Sequence, residues 1–337
     1  MSDAIDLGEH DHGSDWQPRG LIQIAPIFVW PIQPRGCFKA IFGFPGFLWP
    51  WSVLYAVIAL LTWRFLTPGP QEMKEFALGS IAIIVFTNLA LIVLTVGAWH
   101  YRLYVRRAQG TDYKYSAQWL ATNNSNFLFQ NQLWDNVFWT IGSAVPIWSA
   151  YEIVTLWAQA NGFIAVVRWQ AHPIYCLLLM FFIIPLFHEV HFYAIHRLIH
   201  WAPLYRAVHS IHHKNVRPGP WSGLAMHPVE HMLYFSGVLL CWLIPSHPLH
   251  IIFYLQYAAF APAPSHSGFD KLVLSKRMAL NLEYYDHYLH HRYFEVNYGG
   301  PIVPIDKWLG TFHDGSEEAH AAMRRRALKR RTGGLQS

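Results

Sequence analysis

The chain has 337 residues, of which 53% are apolar and only 13% charged, and a formal net charge of +5. Soluble globular domains carry about 25% charged residues, so an ordinary water-soluble domain and a disordered chain are both excluded. Aromatic residues reach 16%, a richness suited to rings placed at a lipid headgroup boundary. The composition is that of an integral membrane protein.

Taken in chain order, residues 1–46 read as a polar, proline-containing lead-in. Its first twenty residues are acidic (Asp3, Asp6, Glu9, Asp11, Asp15), which predicts no secretory signal. Phe47 to Trp63 is an apolar run ending at Arg64, and Phe76 to Trp99 is a second, interrupted only by Asn88 and small or hydroxyl residues. Both are long enough to cross a bilayer core, which takes roughly 17–25 apolar residues. Segment 136–159 contains Pro146 and Glu152; segment 174–187 is short alone but extends through the helix that follows it. Residues 232–262 are apolar with a break at Pro245–Pro248, the pattern of a hairpin that dips in and returns. Arg102, Arg106, Arg107 and Lys114 follow the second run, which predicts that this side is cytoplasmic. The same parity brings every histidine cluster to that face. The tail 324–331 holds six cations in eight positions; beside membrane spans it reads as attraction to anionic lipid or as a solvated charged tail, and no nucleic-acid partner is expected. Cys37, Cys176 and Cys241 are far apart and odd in number, so neither a disulfide framework nor a cysteine zinc site is expected.

Histidine is the unusual residue: 21 in all, with 15 between His188 and His291. His196 and His200 are spaced i, i+4. His209, His212 and His213 repeat the pattern i, i+3, i+4, as do His287, His290 and His291, and His266 stands singly before Gly268. Residues three and four apart share one helix face, so each cluster is expected to aim its imidazoles at one point. Neutral imidazole suits zinc, copper, iron and nickel. A catalytic zinc takes three protein ligands and a water; eight or nine imidazoles are better matched to two metals in an all-histidine shell. His188 and His191 miss the metalloprotease spacing, because position 192 is Phe. They read as supporting residues. His227 precedes Pro228 and so stands before a helix start; together with Glu189 it is a candidate ligand or support for a ligand. Metal-bound histidines usually donate their second N–H to a carboxylate or carbonyl. Glu189, Glu230, Asp270, Glu283 and Asp286 are near enough in sequence to serve.

With these residues in view, the sequence resembles the fatty acid hydroxylase / sterol desaturase superfamily of membrane non-heme di-iron oxygenases. The resemblance rests on Tyr193 to His200, His209-x-x-His212-His213-Lys214, His227-Pro228, His266 with Gly268, His287-x-x-His290-His291, Asn297-Tyr298-Gly299 and Asp306 to Thr311. It covers about residues 135–315. The run from His287 through Asn297-Tyr298-Gly299 looks most like the C-5 sterol desaturase branch, although Glu189 and Ala194 stand where relatives often have Asp and Trp. The resemblance implies two iron ions, O2 as co-substrate, electrons from a cytochrome- or ferredoxin-type donor, and hydroxylation or desaturation of a C–H bond on a sterol or fatty-acyl lipid. The chain has no GxGxxG dinucleotide motif and no CxxCH heme attachment, consistent with borrowed electrons.

The expected architecture is an all-α membrane bundle of about four spans with a cytoplasmic histidine-rich helical cap. It divides into the lead-in 1–46, a membrane hairpin and loop 47–134, a catalytic domain 135–315 and a basic tail 316–337. The expected metal ligands are His196, His200, His209, His212, His213, His266, His287, His290 and His291, and no catalytic residue beyond them is named. A zinc-dependent membrane hydrolase and a non-enzymatic metal transporter or sensor are the rival readings.

Overall fold

The computed structural model describes residues 9–10, 15–18, 22, 24–282 and 284–333. Helices dominate. A short helix α1 (Pro34–Phe42) precedes α2 (Trp51–Phe65). Three helices are then long and apolar enough to cross a membrane: α3 (Leu78–Val105), α4 (Gln132–Ala160) and α5 (Pro173–Ile199). Beyond them come α6 (residues 202–213), α7 (residues 228–243), α8 (Pro248–Phe260), α9 (Tyr285–Tyr293) and α10 (Glu317–Gly333). An antiparallel hairpin, β1 (Lys271–Ser275) with β2 (Met278–Asn281), lies between α8 and α9.

The apolar run expected to begin a helix at Phe47 does so only at Trp51, because Pro45 and Pro50 interrupt its start and α2 forms after Pro50. Residues 174–187 do extend into the histidine helix, which makes α5 a 27-residue element. The apolar stretch 232–262 breaks where its prolines stand: α7 stops at Leu243, and α8 starts at Pro248 with the His247 imidazole accepting from the Leu249 N–H at 3.2 Å.

α8 is the axis of the bundle. Every residue from Leu249 to Phe260 is buried, as expected for a helix apolar on all sides. It packs against α2 through Tyr55, whose ring meets Tyr257 and Phe260, and through Gln256, which donates to Thr62 Oγ1 at 2.9 Å. α3 and α4 are joined by a polar contact inside the apolar layer: Asn88 Nδ2 donates to Ser149 Oγ at 3.1 Å and to Glu152 Oε2 at 2.9 Å. Such groups in a span face other helices and pair there.

One end of the bundle collects the histidine segments. At the C-terminal end of α3, Tyr104 donates to the carbonyls of Pro218 and Ser267. At the start of α4, Gln132 donates to Asn215 Oδ1, and Asp135 accepts from Lys214 at 2.7 Å. α5 delivers His196 to the same end.

Removing the donor of the α3–α4 contact alone strands a buried carboxyl. Asn88→Ala should cost about 1–3 kcal/mol, read as a lower unfolding temperature in detergent, and Asn88→Leu with Glu152→Leu should recover most of it.

Candidate metal centre

The nine histidines converge, and they do so as two groups. His196, His200, His209, His213 and His290 bring one ring nitrogen each to within 4.8 Å of one another; His212, His266, His287 and His291 do the same beside them. All are buried except the half-buried His200. The groups adjoin, since the His213 ring lies 5.1 Å from His291 and 5.7 Å from His212.

The division corrects the expectation that each cluster aims at one point. In each HxxHH cluster the i and i+4 residues go to one group and the i+3 residue to the other. His209 and His213 join the first group and His212 the second; His287 and His291 join the second and His290 the first. Helix geometry explains it: at about 100° per residue, i+4 lies about 40° from i while i+3 lies about 60° the other way. Adjacent histidines therefore diverge by about 100° and face two neighbouring points.

Backbone and carboxylate acceptors fix the rings. His196 Nδ1 donates to the Tyr298 carbonyl at 2.6 Å, His290 Nδ1 to Val296 at 2.6 Å, and His266 Nδ1 to Pro262 at 2.9 Å. A carbonyl only accepts, so these contacts place the proton on Nδ1 and leave Nε2 with a lone pair. His209 Nδ1 meets Glu230 Oε1 at 2.7 Å. The freed lone pairs crowd together. His266 Nε2 stands 2.9 Å from His287 Nε2, 3.2 Å from His291 Nε2 and 3.3 Å from His212 Nε2. His213 Nε2 is 3.1 Å from both His200 Nε2 and His290 Nε2. His196 Nε2 and His209 Nε2 are buried with no hydrogen-bond partner. Lone pairs so arranged suit a shared cation, and two metal ions of the imidazole-binding kind fit this donor set.

The loop after α9 supplies two of these carbonyls. Phe294 turns the chain with φ 64°, its N–H donating to His290. Asp306 then accepts from the N–H groups of Tyr298 at 2.9 Å and Gly299 at 2.6 Å, and from Thr311 Oγ1 at 2.5 Å. Asn297 ties the loop to the Asp286 and His313 carbonyls. The ring of Tyr298 lies 4.8 Å from His200, with the Arg197 guanidinium 4.4 Å above it.

Other candidates lie outside the two groups. His227 Nδ1 accepts from the Val229 N–H as the cap of α7. Glu189 Oε2 accepts from Ile302 N–H at 3.4 Å, and a Cβ at position 300 would run into its carboxylate, so the loop passes over Glu189 on a glycine. His188 contacts the Tyr254 hydroxyl and His191 the Ser236 hydroxyl. Among the carboxylates named from sequence, Glu230 meets a clustered imidazole, Asp286 accepts from the His287 backbone and Asp270 from Tyr115; Glu283 lies outside the described residues. The carbonyls of Tyr298, Val296 and Pro262 went unnoticed in the sequence, since a backbone acceptor leaves no residue signature. Asp306 stands in a quoted motif, but nothing in its spacing tells what it anchors.

A cavity of about 770 Å³ opens onto both groups, within the usual range for ligand sites of about 300–1,000 Å³. His196, His209, His212, His266 and His287 line it together with the apolar side chains of Phe47, Trp51, Phe182, Leu186 and Phe192.

Burial holds the imidazoles neutral. It lowers His200 to about 2, helped by His196 and Arg197, and drives His209, His212, His213, His266, His287, His290 and His291 well below 6.5. Two outcomes follow. His212→Ala and His213→Ala, although adjacent, should deplete different metals, each lowering metal content by mass spectrometry and the double variant lowering it further. Acidification should also act. Below about pH 6.5 the unfolded chain binds protons that the folded chain refuses, so stability falls as pH falls and is flat above that value. Glu230, pushed upward by burial, opposes this as one group against eight. Unfolding temperature and metal content should therefore drop together between about pH 6.5 and about pH 5.

Residues 177–311, which contain all nine histidines, match the fatty acid hydroxylase family model. A Delta(7)-sterol 5(6)-desaturase of Candida glabrata is 30% identical over 173 residues, 50% of this chain and 47% of that protein. A Delta(7)-sterol-C5(6)-desaturase of Nicotiana tabacum is 29% identical over 180 residues, 52% of this chain and 63% of that one. A methylsterol monooxygenase of Aspergillus fumigatus is 31% identical over 136 residues, 37% of this chain and 44% of that one. The chain thus spans about half the length of the curated relatives it matches. No solved structure matches. The histidine segment thus matches the fatty acid hydroxylase family, and C-5 sterol desaturases and methylsterol monooxygenases are among the proteins this segment is similar to.

Proposed function

We propose that this chain is a membrane-bound di-iron oxidoreductase that uses O2 and external electrons to hydroxylate or desaturate a C–H bond of a sterol or fatty-acyl lipid. The observation that carries this is the cavity: its lining combines apolar and aromatic side chains with histidines of both groups. A lipid held against the rings presents a C–H bond to the place where the metals would sit. Iron is redox-active and able to activate O2, chemistry that zinc cannot supply.

The oxidation balances in either outcome. Hydroxylation takes the substrate, O2, two electrons and two protons to an alcohol and one water; desaturation takes the same inputs to an alkene and two waters. The electrons come from a donor of cytochrome or ferredoxin type. His196, His200, His209, His213 and His290 would hold one iron and His212, His266, His287 and His291 the other. Tyr298, Val296, Pro262 and Glu230 set the ligand rings. Phe192, Tyr234 and Tyr257 line the cavity beside the histidines and keep bulk water from the reacting carbon. Lys and Arg at the bundle end that holds the clusters, Arg102, Arg106 and Arg197 among them, support a cytoplasmic position for that end.

Zinc hydrolysis fits less well, since nine imidazoles exceed the three ligands and a water of a catalytic zinc. Transport fits less well because the groups sit at one end of the bundle, not at mid-depth. The test is the iron-loaded protein in vesicles with a reducing donor, 18O-labelled O2 and a panel of sterols and acyl lipids. A product that gains one labelled oxygen or loses two hydrogens, and vanishes in His290→Ala, is the expected result. Lipid cleavage by the zinc-loaded protein without O2 would overturn the proposal.

A further inference from the structure

The segment before α2 is at odds with water. Between Asp15 and Glu72 the sequence contains no carboxylate, and Arg35 and Lys39 are the charges within 29–49. Its large apolar side chains point outward: Trp30 is 84% exposed, Phe38 67%, Phe44 62% and Phe42 50%, with Val29, Ile32 and Trp49 exposed as well. No residue of α1 is buried. The Phe38 and Phe42 rings pack on each other at 5.0 Å.

Part of the backbone of this segment is paired within the segment itself. Gly43 N–H donates to Lys39, Gly46 to Trp49, Phe47 to Ala40 and Leu48 to Ile41, at 2.7–3.2 Å. Pro45 and Pro50 have no N–H to satisfy. Each such pair suits a loop next to lipid, because hydrocarbon offers no partners. Length points the same way. The 15 residues of α2 rise about 22 Å, about 8 Å short of the ~30 Å hydrocarbon core. The N-terminal end of α2 lies toward the histidine groups, where Trp51 meets Trp99 and Tyr55 meets Phe260, so a shortfall at that end would put the chain ahead of Trp51 within a leaflet.

The inner side of the segment faces the cavity. Ile27, Ala40, Ile41, Gly46 and Phe47 line it, opposite Phe182 and Leu186 of the spanning helix α5, and the Phe47 and Phe182 rings stand 5.8 Å apart. We propose that residues 29–49 are a membrane-embedded flap whose outer rings sit in the leaflet next to the histidine groups and whose inner side forms the wall past which lipid reaches the cavity. The occupant of the patch is the bilayer itself. Arg35 and Lys39 reach the anionic headgroups, where each cation adds about 1 kcal/mol, and the absence of carboxylates removes any repulsion. The access route rests on the lipid-substrate reading above; the embedding does not.

The test uses the unaltered full chain in vesicles of phosphatidylcholine and phosphatidylglycerol, with a phosphatidylcholine carrying a diazirine midway along its acyl chain. After photolysis, carbene adducts mapped by mass spectrometry are expected on Trp30, Phe38, Phe42 and Phe44 as well as on α3, α4 and α5. Adducts on the three spans with none on 29–49 overturn the embedding, as do cross-links joining the 29–49 segments of two chains in their place. For the access route, a diazirine sterol is the probe and Ala40→Trp the variant. Adducts on Leu186 and Met226 inside the cavity should fall severalfold while those on α3 stay constant; unchanged interior labelling overturns the route. Neither readout requires turnover, so each fails separately from the proposed activity.

Discussion

The structure depends on keeping a crowd of buried imidazoles neutral and facing inward. Nine rings packed at contact distance carry a large desolvation cost for the charged form, and their mutual repulsion when protonated adds to it. For His196, His266 and His290, pinning Nδ1 to a carbonyl solves both problems at once: the tautomer is fixed, and the lone pair is aimed into the cluster. The rest of the fold serves those acceptors. Asp306 fixes the Tyr298 backbone, the left-handed turn at Phe294 leads the chain back to Val296, and α8 ends where Pro262 meets His266.

The split of each HxxHH cluster between two groups gives the motif a physical reason. One helix turn bearing histidines at i, i+3 and i+4 serves two neighbouring centres, because the i+3 and i+4 rings diverge. Two such turns, α6 and α9, exchange their odd members, so neither histidine group is built by one segment alone. Loss of either helix would disturb both centres. This ties metal binding to the tertiary fold and suits a site that must bring two ions close together in a fixed geometry.

Much of this was legible in the sequence. Three of the four expected spans announced themselves through length and apolarity, the run from Phe47 giving only the shorter helix α2, and the nine clustered histidines through spacings that a helix converts into shared faces. What stayed hidden has a common cause. The partners of His196, His266 and His290 are main-chain carbonyls, and any residue type supplies one. Glu230 was one carboxylate among five in reach, and only the turn from α6 to α7 brings it to His209. The start of α2 moved because Pro50 outweighs the apolarity of Phe47 and Leu48. The grouping of ligands needed the angle between neighbouring side chains, which the i, i+4 shorthand ignores.

The N-terminal segment shows the limit of composition as a guide. Counted with its acidic beginning, residues 1–46 look polar; taken from Val29 onward, the same stretch holds exposed rings, two cations and no acid. Its proline content, which reads as loop in a sequence, has another effect next to lipid: each proline deletes a donor that hydrocarbon could not satisfy. A segment with several loop donors paired internally and its rings turned outward suits a medium without water. Placed between that medium and a cavity lined in part by histidines, it would, on the proposed function, let an apolar substrate pass from the bilayer to the histidine groups without crossing water.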